Sequence, residues 1–209
     1  MKKTILSVST SKAALAVGIA FITSVVFVTI VDDFLLANFV VPGDTKQLAS
    51  DIAANSQHFG FAVVGYLLVL VLDAIIGLAL YVILKPANKN RALLTSVFRL
   101  LYTFILMVAV FALAFQIIDA FGYASIKLVG YILFAIHIFI LGYAVLRSAY
   151  IPKSLGVVLM LASVTYITFF VDLELPEALL TVIMLTMAIA ELALSIWLLI
   201  KRNKLPLNN

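Results

Sequence analysis

Six long stretches of apolar residues alternate with short polar segments along this chain of 209 residues. A membrane-spanning helix needs about 20 mostly apolar residues, and each stretch is long enough. The apolar residues run continuously and do not alternate with polar ones, which argues against the strands of a membrane barrel. The pattern therefore predicts an all-α integral membrane protein, a single domain with six transmembrane helices in one bundle. The predicted spans are approximately 13–31, 59–84, 92–117, 126–146, 152–171 and 178–200, and the long external loop is 32–58.

The composition indicates the same class of protein. Hydrophobic residues make up 65% of the chain and charged residues only 11%, whereas about 25% of a soluble domain is charged. A disulfide scaffold is excluded because the chain has no cysteine. The net charge of +4 does not indicate nucleic-acid binding, because the basic residues are scattered over short connections and form no continuous stripe.

Basic and acidic residues are segregated between the two sets of connections. Lys and Arg are retained in cytoplasmic loops, so both termini are predicted to be cytoplasmic. The basic set comprises Lys2, Lys3, Lys12, Lys85, Lys89, Arg91, Arg147, Lys153, Lys201, Arg202 and Lys204. The opposite set comprises Asp32, Asp33, Asp44, Asp51, Asp119, Asp172, Glu174 and Glu177, together with Lys46 and Lys127.

The external loop contains a signal for the start of a helix. Asp44 is followed three residues later by Gln47, which is the spacing of a capping box. We expect a helix to begin there with Leu48, Ile52 and Ala53 on one face.

Small residues form a ridge along the first span. Ala16, Ala20 and Ser24 are spaced four residues apart and therefore share one face of the helix. Such ridges let helix backbones approach closely in lipid, so we expect these residues to serve helix packing.

Four ionisable residues lie deep within the predicted spans, where a charged side chain costs about 2.5–3.5 kcal/mol at the helix centre. They are Asp73, Arg99, His137 and Glu191, each on a different helix. At a rise of about 1.5 Å per residue, all four lie roughly 11–16 Å from the cytoplasmic ends of their helices. We therefore predict one buried polar cluster in the inner half of the membrane.

Two interpretations of this buried polar cluster remain open. One is a structural layer in which Asp73 pairs with Arg99 on the neighbouring antiparallel helix. The other is a binding or proton-relay site that opens toward the cytoplasm. With Asp73 held by Arg99, Glu191 would lack a permanent counter-charge, so Glu191 and His137 are predicted to titrate as a coupled pair.

Several short runs resemble a family of bacterial membrane proteins catalogued as domain of unknown function DUF4386. The resemblance covers most of the chain and implies a membrane bundle in the bacterial cytoplasmic (inner) membrane, without implying an activity. Its first half includes Val41-Pro42-Gly43-Asp44, Ala79-Leu80-Tyr81, Leu84-Lys85-Pro86, Ala92-Leu93-Leu94 and Phe98-Arg99. Its second half includes His137, Leu141-Gly142-Tyr143, Arg147-Ser148 and Tyr150-Ile151-Pro152-Lys153.

The sequence offers little for catalysis. A catalytic zinc ion needs three or more converging ligands, and His58 lies at the outer boundary, far from the buried polar cluster. The chain contains no HExxH, GxSxG or P-loop motif. No catalytic residue, metal or cofactor is predicted.

The favoured hypothesis is a small transporter-like or permeation-accessory protein that handles a proton-linked or anionic solute. A non-catalytic membrane partner, such as a sensor or stress accessory protein, is one alternative, and an intramembrane enzyme is another. The predicted partners are the lipid bilayer and either an unknown small solute or a membrane protein, and not nucleic acid.

Overall fold

The computed structural model describes residues 8–37, 39–40, 48–170 and 176–206. Within these ranges the secondary structure is entirely helical. The helices are α1 (Thr10–Thr29), α2 (Leu48–Ala54), α3 (Ser56–Leu84), α4 (Lys89–Ala114), α5 (Ala120–Leu146), α6 (Lys153–Thr165) and α7 (Glu177–Lys201). A π-helical segment, Ile30–Leu36, continues α1, and 3-10 segments follow α6 (Tyr166–Phe169) and α7 (Arg202–Lys204).

Polar side chains cap the helices at the sites where the chain enters them. The side chains of Ser9, Asn88 and Asp119 each accept a hydrogen bond from a backbone N–H in the first turn of α1, α4 and α5, respectively. Such caps satisfy donors that have no partner within the helix. Pro152 immediately precedes α6, where its missing N–H costs nothing.

Six helices pack in a closed ring that follows chain order. Helices α1, α3, α4, α5, α6 and α7 each pack against the next, and α7 returns to α1. The ring is closed at one end by hydrogen bonds from Thr10 Oγ1 to the Pro206 carbonyl, at 2.6 Å, and from Ser11 Oγ to Asn203 Oδ1, at 2.9 Å. The short helix α2 packs against α3 outside the ring.

Helices α5 and α6 approach each other closely enough for their backbones to make contact. A Cβ atom placed on Gly142 would lie 2.8 Å from the Gly156 carbonyl oxygen, and one placed on Gly156 would lie 2.6 Å from the Leu146 nitrogen. These contacts are with backbone atoms, which a side-chain rotation cannot relieve. Glycine at both positions therefore allows the two backbones to approach each other.

Among the described residues, five helices are long and apolar enough to cross a membrane. The sixth member of the ring, α6 with its 3-10 extension, is shorter, with thirteen residues of α-helix followed by four. Large apolar side chains cover the outside of the ring, including Val64, Leu78, Phe104, Leu161 and Ile200. An outer surface of this kind matches lipid, and the fold is that of a membrane protein.

Several boundaries differ from the predicted ones. The first helix continues through its π-helical segment to Leu36, so the start of the predicted external loop 32–58 is helical. Helix α4 ends at Ala114 and not near residue 117, because Gln116 adopts the left-handed conformation with φ 55°. Glutamine carries no sequence signal for this conformation, which normally favours glycine.

The external helix also differs from its prediction. Its proposed capping box, Asp44 and Gln47, lies outside the described residues. Helix α2 begins at Leu48 and buries Leu48 and Ile52, but Ala53 is exposed. The face that packs against the bundle is therefore narrower than predicted.

Candidate functional site

The four ionisable residues predicted from the sequence meet at the centre of the ring. Arg99 bridges two carboxylates from different helices: its Nη2 donates to Asp73 Oδ1 at 2.5 Å, and its Nη1 donates to Glu191 Oε1 at 2.6 Å. The side chains of Arg99 and Asp73 are 2% and 6% exposed, and that of Glu191 is 11% exposed. The buried polar cluster (Asp73, Arg99, His137 and Glu191) thus joins α3, α4, α5 and α7.

His137 takes part in this cluster as a neutral imidazole. Its Nδ1 lies 2.8 Å from the Thr95 carbonyl oxygen, which only accepts, so Nδ1 carries the proton. Its Nε2 lies 3.4 Å from Arg99 Nη1, which only donates, so Nε2 presents a lone pair. His137 therefore orients Arg99 and adds no positive charge to the cluster.

The coupled titration of Glu191 and His137 was predicted on the ground that Glu191 has no counter-charge, and the structure contradicts that ground. Glu191 has a counter-charge, because Arg99 binds it as directly as it binds Asp73. Two carboxylates nevertheless share a single guanidinium. When both acids are ionised, the cluster therefore carries one uncompensated negative charge.

The Arg99 side chain is held by packing as well as by its ion pairs. A Cβ atom on Gly77 would lie 3.2 Å from Arg99 Cγ, so the absent side chain at Gly77 leaves room for the arginine stem. The Phe134 ring lies 4.9 Å from the guanidinium carbon, a cation–π distance. Both contacts fix the guanidinium between the two acids.

A cavity of about 230 Å³ lies against the buried polar cluster. Side chains from every helix of the ring or its extensions line it. Asp73, Arg99 and Glu191 lie at one end and Asp32 lies at the other. The remaining lining residues are Phe21, Ser24, Val25, Val28, Tyr66, Val69, Tyr102, Tyr131, Phe134, Tyr166, Met187 and Ala188.

The cavity extends toward the acidic end of the bundle and not toward the basic end. On the basic side of the cluster, the ring is filled by buried apolar side chains such as Leu80, Leu141 and Leu198. The site was predicted to open toward the basic end, which the charge distribution assigns to the cytoplasm, and the structure differs from this prediction. Apolar packing closes the basic half, and the open volume lies in the acidic half.

Tyrosines form much of the cavity wall. Tyr66, Tyr102, Tyr131 and Tyr166 all line it, and the rings of Tyr131 and Tyr166 contact each other with centroids 6.5 Å apart. This aromatic wall was not predicted from the sequence. A signal existed, since these tyrosines occupy predicted spans, but tyrosines in spans also occur at the membrane interface.

A second ion pair lies beside the far end of the cavity. Lys127 Nζ is 3.1 Å from Asp32 Oδ2 and lies 5.8–5.9 Å from the ring centroids of Tyr66, Tyr123 and Tyr131. Asp32 falls in the predicted external loop 32–58, but in the structure it lies on the π-helical continuation of α1. Lys127 lies on α5, within the predicted span 126–146, and is the counter-charge of Asp32.

The small-residue ridge has two different environments. Ala20 and Ser24 are buried and Ala16 is half-buried, and Ser24 lines the cavity.

His58 lies apart from the cluster; it is exposed, with its Nε2 3.3 Å from the Phe34 carbonyl oxygen. Among the described residues no group of three or more His, Cys, Asp or Glu side chains converges on a possible metal position.

The fold and the buried ionic site define a helical membrane protein with a central cavity that has an ionic cluster at one end. The chain belongs to the family described as Domain of unknown function (DUF4386), which matches residues 16–119 and 112–201. It is similar to an uncharacterized protein of Archaeoglobus fulgidus, with 38% identity over 120 residues, covering 57% of this chain and 72% of that protein. No solved structure matches the chain.

Proposed function

We propose that the ring is a single domain of six membrane spans with both termini in the cytoplasm, located in a bacterial cytoplasmic membrane. The described residues at the end that holds Thr10 and Pro206 include nine lysines and arginines and no acid. Such an excess of positive charge is retained on the cytoplasmic side. Helix α6 with its extension spans roughly 27 Å, close to the roughly 30 Å of a bilayer core.

Cysteine labelling tests this orientation on a background that has no native cysteine. Asn90, in the first turn of α4, and Gln57, in the first turn of α3, are both exposed and lie at opposite ends of the ring. A membrane-impermeant maleimide added to intact cells should label a cysteine at Gln57 and not one at Asn90. Labelling of both from outside, or of Asn90 alone, contradicts the orientation.

We further propose that the protein binds a small solute in its central cavity and couples that binding to a proton, as in a transporter-like or permeation-accessory protein. The observation that carries this proposal is the imbalance of two carboxylates on one guanidinium at the base of the cavity. An uncompensated buried charge costs several kcal/mol, so the excess carboxylate favours a proton or another cation. A purely structural ion layer needs neither an adjacent cavity nor an excess acid.

Infrared difference spectroscopy tests whether the cluster holds a proton. Full-length protein in lipid nanodiscs would be compared at about pH 5 and about pH 8, and we expect the C=O stretch of a protonated carboxyl group to change between them. Titratable or charged groups from the neighbouring elements line the cavity with Glu191: Asp73 on α3, Arg99 and Tyr102 on α4, Tyr131 on α5, and Tyr166 after α6. His137 on α5 contacts Arg99. On α1, Asp32 lies at the opposite end of the cavity.

Two variants assign the infrared signal. Glu191→Gln removes one acid and leaves Asp73 and Arg99 as a balanced pair, so the band should vanish. Asp33→Asn removes an exposed acid outside the cavity and should leave the band unchanged. Carboxylates that remain ionised throughout this range would contradict proton coupling.

A further inference from the structure

We propose that the solute is a small alkylammonium ion, bound in the central cavity between the unpaired carboxylate oxygens and the tyrosine wall. This inference rests on the proposed function, because it names the solute class for the same cavity. Charge, hydrogen bonding and wall chemistry each support a cation of this kind.

The charge of the cavity favours a cation. Three acids line it, Asp32, Asp73 and Glu191, against one lining cation, Arg99. Lys127 neutralises Asp32 at the far end, so the excess negative charge resides in the buried polar cluster. An anionic solute placed there would face that excess charge at short range in a medium of low dielectric constant. A cation of charge +1 would balance the cluster.

The free oxygens of the cluster call for a hydrogen-bond donor. Asp73 and Glu191 each use one carboxylate oxygen on Arg99, and the second oxygen of each makes no hydrogen bond to any described residue. As whole residues, Asp73 and Glu191 are 4% and 9% exposed, and both line the cavity. A carboxylate accepts hydrogen bonds only, and an ammonium group donates up to three, so the two groups are complementary.

The cavity wall suits an alkylated cation. Rings of tyrosine and phenylalanine attract a cation within about 6 Å of their centroids. This wall already holds two cations at its ends, Arg99 on Phe134 and Lys127 near Tyr131. Between those ends, Tyr102 and Tyr166 provide aromatic surface for the alkyl part of the solute.

The volume limits the solute to a few heavy atoms. About 230 Å³ is below the roughly 300–1,000 Å³ of pockets that bind drug-sized ligands. A short alkyl chain with one ammonium group fits this limit, whereas a nucleotide or a large amphiphile does not.

The ammonium ion and the proton are alternative counter-charges for one carboxylate. When the ammonium ion binds to the protonated cluster, the O–H bond breaks, the proton leaves to solvent, and the carboxylate pairs with the N–H donors. Simple alkylamines, like the lysine side chain with a pKa near 10.4, stay charged at neutral pH. The pH dependence of binding therefore reports on protonation of the cluster and not of the solute. Over the pH range in which the cluster is protonated, the affinity should fall by up to about tenfold for each unit by which the pH is lowered.

Calorimetry on the full chain in nanodiscs tests the proposal with three probes of equal chain length. We expect n-butylammonium to bind, and the neutral 1-butanol and the anion butyrate to bind at least about tenfold more weakly. Titrations in two buffers of different ionisation enthalpy should reveal proton release on binding of n-butylammonium. Choline, which carries no N–H donor on its ammonium group, should bind more weakly than n-butylammonium.

Matched variants locate the site. Glu191→Gln and Tyr131→Leu should each weaken n-butylammonium binding about tenfold or more, and a retained cooperative thermal transition shows that each variant is folded. Asp33→Asn and Tyr143→Leu alter an acid and a tyrosine outside the cavity and should bind n-butylammonium as the parent protein does.

The outcomes separate this inference from the proposed function. A titrating carboxyl group in the infrared spectrum without n-butylammonium binding overturns the inference and leaves proton coupling in place. Preferential binding of butyrate overturns the inference and favours an anionic solute. Equal binding of n-butylammonium and 1-butanol overturns it as well, because charge then has no role. The absence of both a titrating carboxyl group and solute binding overturns both proposals.

Discussion

Replacement of Arg99 should destabilise the protein far more than replacement of either acid that it binds. Arg99→Gln leaves two carboxylates, Asp73 and Glu191, buried without a cation. Asp73→Asn leaves Arg99 and Glu191 as a pair of equal and opposite charge, and the asparagine oxygen can still accept from Nη2. The two partners of a simple ion pair would instead be equally costly to remove.

The expected magnitudes follow from the burial of the cluster. Removal of one partner of a buried pair costs about 3–5 kcal/mol, and we assign this cost to Arg99→Gln. Asp73→Asn weakens one charge-assisted hydrogen bond but removes the excess charge, so its net cost should be within about 1 kcal/mol. For a chain of this size about 1 kcal/mol corresponds to roughly 2–4 °C in Tm, which gives a loss of roughly 6–20 °C for Arg99→Gln.

Thermal unfolding of both variants in the same detergent, over a range of pH, checks this prediction. The deficit of Arg99→Gln should shrink as the pH falls, because protonation of the two acids removes the unmatched charge. Arg91→Gln is the control, since Arg91 is only half-buried, lies at the basic end and contacts the Tyr143 ring. Equal losses for Arg99→Gln and Asp73→Asn, or a deficit independent of pH, would refute the reasoning.

Two further predictions concern packing and the connection after α5. Gly142→Ala should lower the free energy of unfolding by about 1–3 kcal/mol, because the new Cβ would clash with the Gly156 carbonyl oxygen. Gly60→Ala is the control and should not lower it, because nothing lies near a Cβ at that position. A comparable loss in Tm for both variants would contradict the packing argument. Burial raises the pKa of Tyr150 to about 12, and its hydroxyl donates a hydrogen bond to the Ile83 carbonyl at 2.6 Å. The contribution of Tyr150 to stability should therefore be complete below about pH 10, the usual pKa of tyrosine, and should disappear as the pH rises through about 12. An ultraviolet titration of the parent and Tyr150→Phe proteins measures this, and a phenolate step near pH 10 that Tyr150→Phe removes would refute it.

The order of the helices and the depth of each polar residue could be worked out from the sequence. Both quantities depend on position along a single helix, where a rise of about 1.5 Å per residue converts residue number into depth. Counting in this way placed Asp73, Arg99, His137 and Glu191 at one level.

Only the tertiary structure decided which of these groups meet and on which side of the cluster the cavity lies. Ring closure between α1 and α7 determines the rotation of each helix about its axis, and that rotation depends on contacts between residues far apart in the chain. It directs Arg99 toward both acids and leaves His137 to bind the Thr95 carbonyl. It also places the tyrosines around a cavity on the acidic side, while apolar side chains fill the basic side. Residue number alone carries no information about these rotations, because residues at the same depth can face each other, the cavity or the lipid.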